Sequence, residues 1–357
     1  MTRFAQRLGL RLPFIQAPMA GTSTPALAAA VCNAGALGSL AVGAVDANAA
    51  RAMIDDLRAR TRHAFNINVF SHQKAKVDPV REQAWLARLE PFFHALGSEC
   101  PAHLREIYRS ISDDDEMVEV LAQTRPAVVS FHFGLPPGSV IARLKACGIT
   151  LLATATCLRE AIAAERAGID AVVAQGYEAG GHRGVFDPAA SDSQLGVAAL
   201  TRLLVRTLSI PVIAAGAIMD GAGIAAMLAL GADAAQLGTA FIGCPESAAD
   251  AHYRAALLGP GATATEMTSI ISGRPARALP NRFTALKKDL LKDLAPPDYP
   301  IAYDAAKALA AAARAKGEGG FGAQWAGQGA PLAQTLPAAE LVRLLEEELR
   351  AARAHLA

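Results

Sequence analysis

Residues 171–184 read AVVAQGYEAGGHRG, a short apolar run followed at once by a glycine-rich turn that carries one histidine. The run Ala171-Val172-Val173-Ala174 predicts a buried strand. The glycines after it let the backbone adopt positive φ angles and approach a ligand closely. His182 has the side-chain type whose ordinary pKa lies near physiological pH. This stretch therefore predicts a site for cofactor and proton chemistry at the carboxyl end of a strand.

Similar apolar runs recur along the chain, and alanine-rich helical patterns follow several of them. The eight predicted strands cover residues 14–17, 36–40, 64–69, 127–131, 150–153, 171–174, 211–215 and 234–237. This alternation is typical of parallel βα units, and eight units predict an α/β fold of the (β/α)₈ TIM-barrel type. A doubly wound open sheet is the alternative. It is disfavoured because no GxGxxG motif opens a helix after the first strand.

Two regions do not follow the alternation of strands and helices expected for a barrel. The pattern over residues from about 72 to 125 predicts helices inserted between the third and fourth units. Residues 244–320 predict a cap that binds substrate over the mouth of the barrel. We therefore expect a cofactor-binding barrel over residues 1–243, the cap, and a C-terminal helical segment over residues 321–357 that returns to the barrel.

Composition favours a small-molecule partner. The net charge of the 357 residues is +1, and the basic residues are scattered among acidic ones. Such a chain lacks the basic surface that nucleic acid or an anionic membrane needs. Five cysteines without a CxxC pair predict neither a disulfide framework nor a structural zinc site, and we expect no metal. Without a signal peptide or a long apolar segment, we expect a cytoplasmic protein. Its oligomeric state stays open.

Residues just after each strand can be collected as neighbours, because the carboxyl ends of barrel strands meet at one mouth. The first strand delivers Ala17-Pro18-Met19, which offers exposed backbone and a soft apolar surface for a flat ring. The third delivers Asn68, whose amide suits the edge of a heterocycle. The sixth delivers Gln175 and, after it, Gly180-Gly181-His182.

Glycines also follow the last two strands, at Gly216 and in Gln236-Leu237-Gly238-Thr239. Many barrels bind phosphate at this place through backbone N–H groups and the start of a helix. The pattern predicts a phosphorylated cofactor. The alternative is that these glycines only shape turns.

Taken in order, these motifs resemble those of FMN-dependent nitronate monooxygenases, formerly called 2-nitropropane dioxygenases, and in particular their class I branch. The resemblance covers nearly the whole chain. It rests on QAPM at 16–19, EAGGHRG at 178–184, QLGT at 236–239, SGRPAR at 272–277 and WAGQG at 325–329. It implies FMN as cofactor. It also implies a detoxifying oxidation of alkyl nitronates, such as propionate 3-nitronate, by dioxygen to a carbonyl compound and nitrite.

The resemblance also implies roles for particular residues. His182 is expected to be the catalytic histidine beside the flavin, either as a general base or as a hydrogen-bonding partner of the substrate. The expected FMN-binding residues are Ala17, Pro18, Met19, Asn68, Gln175, Gly180, Gly181, Gly216, Gln236, Leu237, Gly238 and Thr239.

A second set of residues concerns the substrate. Tyr299, Tyr303 and Lys307 are spaced four apart and would share one helix face, although aromatic residues at this spacing are also common in cores. The resemblance implies that they line the substrate pocket. Phenols and a cation suit a small anion. The expected substrate-binding residues are His132, Tyr108, Tyr299, Tyr303, Lys307 and Arg183.

Two alternative functions stay open at this point. Related enzymes with the same flavin-binding motifs oxidise NAD(P)H, namely quinone reductases and enoyl-acyl-carrier-protein reductases. A barrel that binds a phosphorylated ligand without turnover is the non-enzymatic alternative.

Overall fold

The computed structural model describes residues 2–356 and contains short strands that are almost entirely buried. In chain order they are β1 (Phe14–Gln16), β2 (Gly38–Ala41), β3 (Phe65–Phe70), β4 (Val128–His132), β5 (Thr150–Ala155), β6 (Ala171–Gln175), β7 (Gly181–His182), β8 (Val212–Ala215), β9 (Ala234–Leu237), β10 (Glu266–Thr268) and β11 (Ala276–Ala278). The eight predicted strands correspond to β1 to β6, β8 and β9, so each of them is confirmed.

These eight strands are parallel and follow the order β1-β9-β8-β6-β5-β4-β3-β2. The two ends of the sheet meet, because the Gln16 amide donates to the Leu37 carbonyl at 2.9 Å and the Leu37 amide donates to the Phe14 carbonyl at 3.1 Å. The sheet is therefore a barrel rather than an open sheet. Continuous apolar runs suit such strands because both faces are covered.

Fourteen α-helices occur in the described part of the chain. They are α1 (Arg3–Arg7), α2 (Pro25–Asn33), α3 (Ala47–Arg60), α4 (Pro79–Ala95), α5 (Asp115–Thr124), α6 (Gly138–Ala146), α7 (Leu158–Arg166), α8 (Val197–Thr207), α9 (Gly221–Ala229), α10 (Ala251–Leu258), α11 (Arg282–Ala285), α12 (Lys287–Leu290), α13 (Ile301–Ala315) and α14 (Ala338–Leu356). The C-terminal helix α14 packs against α9 and α2 and buries Leu341 and Leu345. It thereby completes the outer ring of barrel helices.

The insertion and the cap form one layer over the barrel mouth. Trp85 and Phe93 of α4 share an apolar cluster with Ala305 and Leu309 of α13. By contrast, α5 buries Leu121 in the main barrel core. The expected insertion at 72–125 therefore contains a barrel helix at its C-terminal end.

A small antiparallel sheet connects the cap to the barrel. It has the order β10-β11-β7, with His182 opposite Ala276 and Gly181 opposite Arg277. This pairing fixes the turn after β6 against the segment that follows β10. Among residues 2–356, no helix is long and apolar enough to cross a membrane.

Candidate active site

A cavity of about 820 Å³ opens at the carboxyl ends of the barrel strands, under the cap. Its volume lies within the usual range for ligand sites. Seventeen of the predicted site residues line its wall. They are Ala17, Pro18, Met19, Asn68, Tyr108, His132, Gln175, Gly180, Gly181, His182, Gly216, Gln236, Gly238, Thr239, Tyr299, Tyr303 and Lys307.

One end of the cavity presents backbone donors. The N–H groups of Gly216, Ala217, Gly238 and Thr239 make no hydrogen bond to any other described residue, although Gly216 and Thr239 are buried. Positive φ angles of 138° at Gly216 and 50° at Ala217 shape this turn. Unpaired N–H groups in a concave turn attract an anion such as phosphate. Thr239 also accepts a hydrogen bond from the Gly327 amide at 3.0 Å, which holds the C-terminal segment against this turn.

The loop after β1 is held rigidly. Buried Gln16 donates to the Ser23 hydroxyl at 3.0 Å and accepts from the Ser39 amide at 2.8 Å. Ser23 in turn accepts from the Met19 amide at 3.0 Å. These bonds present the small and apolar residues Ala17 to Met19 to the cavity as a fixed surface.

Two buried amide side chains line the cavity between its ends. Asn68 donates to the carbonyl and the hydroxyl oxygens of Ser130 at 3.0 and 3.1 Å, which leaves its own carbonyl oxygen free to accept. Gln175 donates to the main-chain carbonyl of His182 at 2.9 Å and accepts from the Gly184 amide at 2.8 Å. Gln175 therefore fixes the backbone of the glycine-rich turn.

His182 lies among aromatic rings. Its Nε2 forms a hydrogen bond of 2.7 Å with the Ser272 hydroxyl, and its ring centroid lies 5.0 Å from that of Trp325 and 5.4 Å from that of Tyr299. Burial lowers the pKa of His182 to about 3, and the nearby His132 and Arg274 add to this shift. The imidazole is therefore neutral at physiological pH.

His132 holds the backbone of His182 by a hydrogen bond. Its Nε2 donates to the His182 carbonyl at 3.2 Å, so its Nδ1 accepts from the Thr154 hydroxyl at 3.1 Å. Burial lowers the pKa of His132 to about 4 despite the hydrogen bond to His182, which acts in the opposite direction. Both imidazoles are therefore neutral and oriented.

Three tyrosines and one lysine form the other wall. Tyr299 and Tyr303 lie within 6.3 Å and 5.9 Å of Tyr108, measured between ring centroids. The Lys307 ammonium lies 4.9 Å from the Tyr108 ring centre and 5.7 Å from that of Tyr303. Burial raises the pKa of each phenol and lowers that of Lys307. The wall thus combines neutral hydroxyl donors with a cation.

Arg183 and Leu237 do not line the cavity. Leu237 is buried in the apolar core. The Arg183 guanidinium is 1% exposed and pairs with Asp192 at 2.8 Å, and it also donates to the Gln175 and Gly176 carbonyls. Arg183 is therefore placed to hold the glycine-rich turn rather than to meet a ligand.

Three further residues of the site were not singled out individually by sequence reasoning. Trp325 and Ser272 contact His182, and Phe133 lines the cavity with a φ of 78°. The first two lie in the WAGQG and SGRPAR motifs, which marked their neighbourhood. Nothing in the sequence signals the positive φ at Phe133, which is unusual for a bulky residue.

The chain is similar in sequence to known proteins of one family. The sequence profile described as nitronate monooxygenase matches residues 2–348. A nitronate monooxygenase of Paraburkholderia phytofirmans is 61% identical over 96% of this chain and 93% of its own length. One of Pseudomonas aeruginosa is 54% identical over 98% of this chain and 99% of its own length.

Two solved structures are similar to the chain over its full length. A nitroalkane oxidase from Streptomyces ansochromogenes superposes with a TM-score of 0.90 at 40% identity, over 99% of both chains. FabK from Thermotoga maritima superposes with a TM-score of 0.76 at 28% identity, over 100% of this chain and 98% of its own. From the profile match and the two bacterial relatives together, the chain belongs to the nitronate monooxygenase family.

Proposed function

We propose that this protein uses FMN to oxidise alkyl nitronates with dioxygen, giving a carbonyl compound and nitrite. The observation that carries the proposal is the single cavity in which unpaired backbone donors lie at one end and His182, the tyrosines and Lys307 lie at the other. The first end suits a phosphate and the second suits a small anion.

The residues present fit a phosphorylated flavin. The free N–H groups around Gly216 and Gly238 would hold the phosphate. The rigid surface from Ala17 to Met19 would pack against the ring, and the free oxygen of Asn68 would accept from its edge. When bound, the flavin supplies the electron transfer between the nitronate and dioxygen.

The wall of phenols would bind and orient the nitronate. The ammonium of Lys307 would attract the anion, and the hydroxyls of Tyr299 and Tyr303 would donate to its oxygens. Because burial raises the pKa of both phenols, they keep their protons and stay donors at physiological pH. Their rings also exclude water from the reacting carbon, which strengthens these interactions.

His182 would hydrogen-bond the bound nitronate through its Nδ1 rather than remove a proton. Its Nε2 is occupied by Ser272, and a pKa of about 3 makes its imidazole a weak base. A general base works best when its pKa lies near the operating pH. The site therefore favours a substrate that arrives already as the anion.

The substrates and partners follow from the same site. Propionate 3-nitronate carries a carboxylate besides the nitronate, and a cationic wall suits such a small dianion. We expect the enzyme to work in the cytoplasm on nitronate and dioxygen. The net charge of +1 favours a small-molecule substrate over nucleic acid or an anionic membrane.

One experiment separates this proposal from its alternatives. Purified, flavin-loaded protein is given a nitronate under air, and oxygen consumption and nitrite release are followed together. A separate anaerobic sample is mixed with NADH, and flavin absorbance is followed. Nitrite release without flavin bleaching by NADH supports the proposal. Fast bleaching without nitrite release would favour the NAD(P)H-oxidising enzymes, and purified protein without a flavin spectrum would favour a binding barrel.

A further inference from the structure

Arg274 is a buried cation that the proposed mechanism does not use. It follows Gly273, whose φ is 87° and where an added Cβ would lie 2.3 Å from the Pro297 carbonyl oxygen. The turn is thus pressed against the cap segment that leads to Tyr299. Arg274 itself is only 3% exposed, so it is fixed between the barrel and the cap.

This guanidinium has no carboxylate partner. It donates to the Val185 carbonyl, and within the described residues no carboxylate oxygen lies within 4.0 Å of it. Glu160 and Asp187 act on it only from a distance, and the Glu160 carboxylate accepts from the Thr156 and Phe186 amides at 2.7 and 2.9 Å. Burial lowers the pKa of Arg274 to about 10, which leaves it charged at physiological pH.

One aromatic ring separates this charge from the cavity. The guanidinium lies 4.4 Å from the ring centre of Phe133. The same ring lies 4.4 Å from the centroid of His132 and 5.5 Å from that of His182. Phe133 holds this place with a positive φ, a strained conformation that persists only when its surroundings enforce it.

We infer that Arg274 is a specificity-determining residue, whose unpaired buried charge makes the cavity prefer anionic nitronates over neutral nitroalkanes of the same shape. The inference rests on the proposed function, because it assumes that the cavity takes nitronates. Arg274 acts through the field it sets up and does not touch the substrate.

The expected size follows from Coulomb's law. One unit charge roughly 8 to 10 Å from an anion, at an effective dielectric constant of about 20, changes the affinity for that anion by about tenfold or more. Burial of both partners keeps salt from screening this effect. The affinity for a neutral ligand should stay unchanged. Burial is the main cause of the low pKa values of His132 and His182, and the positive charge of Arg274 adds to both shifts.

The test compares an anion with a neutral molecule on flavin-loaded protein. Nitrate is a planar, unreactive anion of nitronate-like shape, and nitroethane is the neutral probe. Dissociation constants come from the change in flavin absorbance, measured for wild type, Arg274→Met and Arg274→Lys. Arg277→Met is the matched control, because Arg277 is equally buried in the same motif but binds the Tyr177 carbonyl outside the cavity wall.

The expected result is a dissociation constant for nitrate about tenfold higher in Arg274→Met, with values within about twofold of wild type in Arg274→Lys and Arg277→Met. Nitroethane should bind equally to all four proteins. Unchanged nitrate binding in Arg274→Met, or equal weakening of nitrate and nitroethane, would overturn the inference.

A second variant covers the case in which Arg274→Met does not hold flavin. Arg274→Gln removes the charge and keeps a donor for the Val185 carbonyl. Unchanged nitrate binding in this variant, or equal weakening of nitrate and nitroethane, would likewise overturn the inference. The proposed function is tested by a different measurement, because it would be refuted if the wild-type enzyme released no nitrite. Nitrate binding requires no turnover, so the two failures are distinguishable.

Discussion

Replacing Arg183 with methionine is expected to destabilise the protein while leaving its affinity for anions unchanged. The sequence motif suggested that Arg183 attracts the substrate, whereas the structure turns its guanidinium away from the cavity into an ion pair with Asp192. The two roles predict opposite results. Arg183→Met therefore tests whether this arginine serves the fold or the ligand.

The structure sets the size of the loss. Arg183 is 1% exposed and donates to both oxygens of Asp192 at 2.8 and 3.1 Å, and to the Gln175 and Gly176 carbonyls at 3.0 and 3.1 Å. Removing one partner of a buried ion pair costs about 3–5 kcal/mol. Because the Asp192 side chain remains 21% exposed, we expect the lower end, about 3 kcal/mol.

Urea unfolding followed by circular dichroism measures this change, with Arg202→Met as the control. Arg202 is exposed and makes a single hydrogen bond of 3.3 Å, so its loss should change stability by less than about 0.5 kcal/mol. The double variant Arg183→Met/Asp192→Asn should lose clearly less than the sum of the single changes. A loss below about 1 kcal/mol in Arg183→Met, together with a tenfold rise in KM for nitronate, would refute the structural role.

Three further predictions concern His182, Lys307 and the buried histidines. His182→Ala should lower kcat/KM for nitronates in steady-state assays by roughly 10- to 100-fold, because a hydrogen bond to a charged group is lost. A loss confined to neutral nitroalkanes would restore the general-base role. Lys307→Met should raise KM for nitronates by about tenfold at low salt and less at high salt, because the ammonium is partly exposed. Lys316→Met, just after the C-terminus of α13, should leave KM unchanged, and equal effects of both variants would contradict a local role of Lys307. The free energy of unfolding should fall as the pH drops from about 6.5 towards 4, because His72, His132 and His182 have folded pKa values near 4, 4 and 3 and therefore bind fewer protons than the unfolded chain. In urea titrations, His72→Phe should reduce the dependence of the free energy of unfolding on pH by up to about 1.4 kcal/mol per pH unit. The same pH dependence in the variant and in wild type would contradict the prediction that His72 is buried as a neutral imidazole.

The barrel could be predicted from the sequence because each of its strands is buried on both faces. Runs such as Ala171–Ala174 are apolar throughout, so a local pattern identifies them and the turns after them. The residues collected at the strand ends, such as Asn68 and Gln175, then meet in one cavity as the topology requires. Local pattern and global topology agree here.

The role of Arg183 could not be read in the same way. A charged residue beside a catalytic motif looks the same in sequence whether it faces the ligand or a carboxylate. Asp192, which decides the matter, lies nine residues later in an irregular loop. Only the folded turn shows which direction the side chain takes.

The contribution of the cap to the site could not be predicted from the hydrophobic periodicity of the sequence. Contacts between His182 and Ser272 span 90 residues and depend on β7, a strand of two residues that is too short to show any alternation. Residues of the barrel form the end with the free N–H groups, whereas Tyr299, Tyr303 and Lys307 come from the cap. Since the two ends belong to different layers, changes in α13 should alter the range of substrates while flavin binding is retained. Substitutions around Gly216 should do the reverse, because the donors there come from the backbone of the barrel itself.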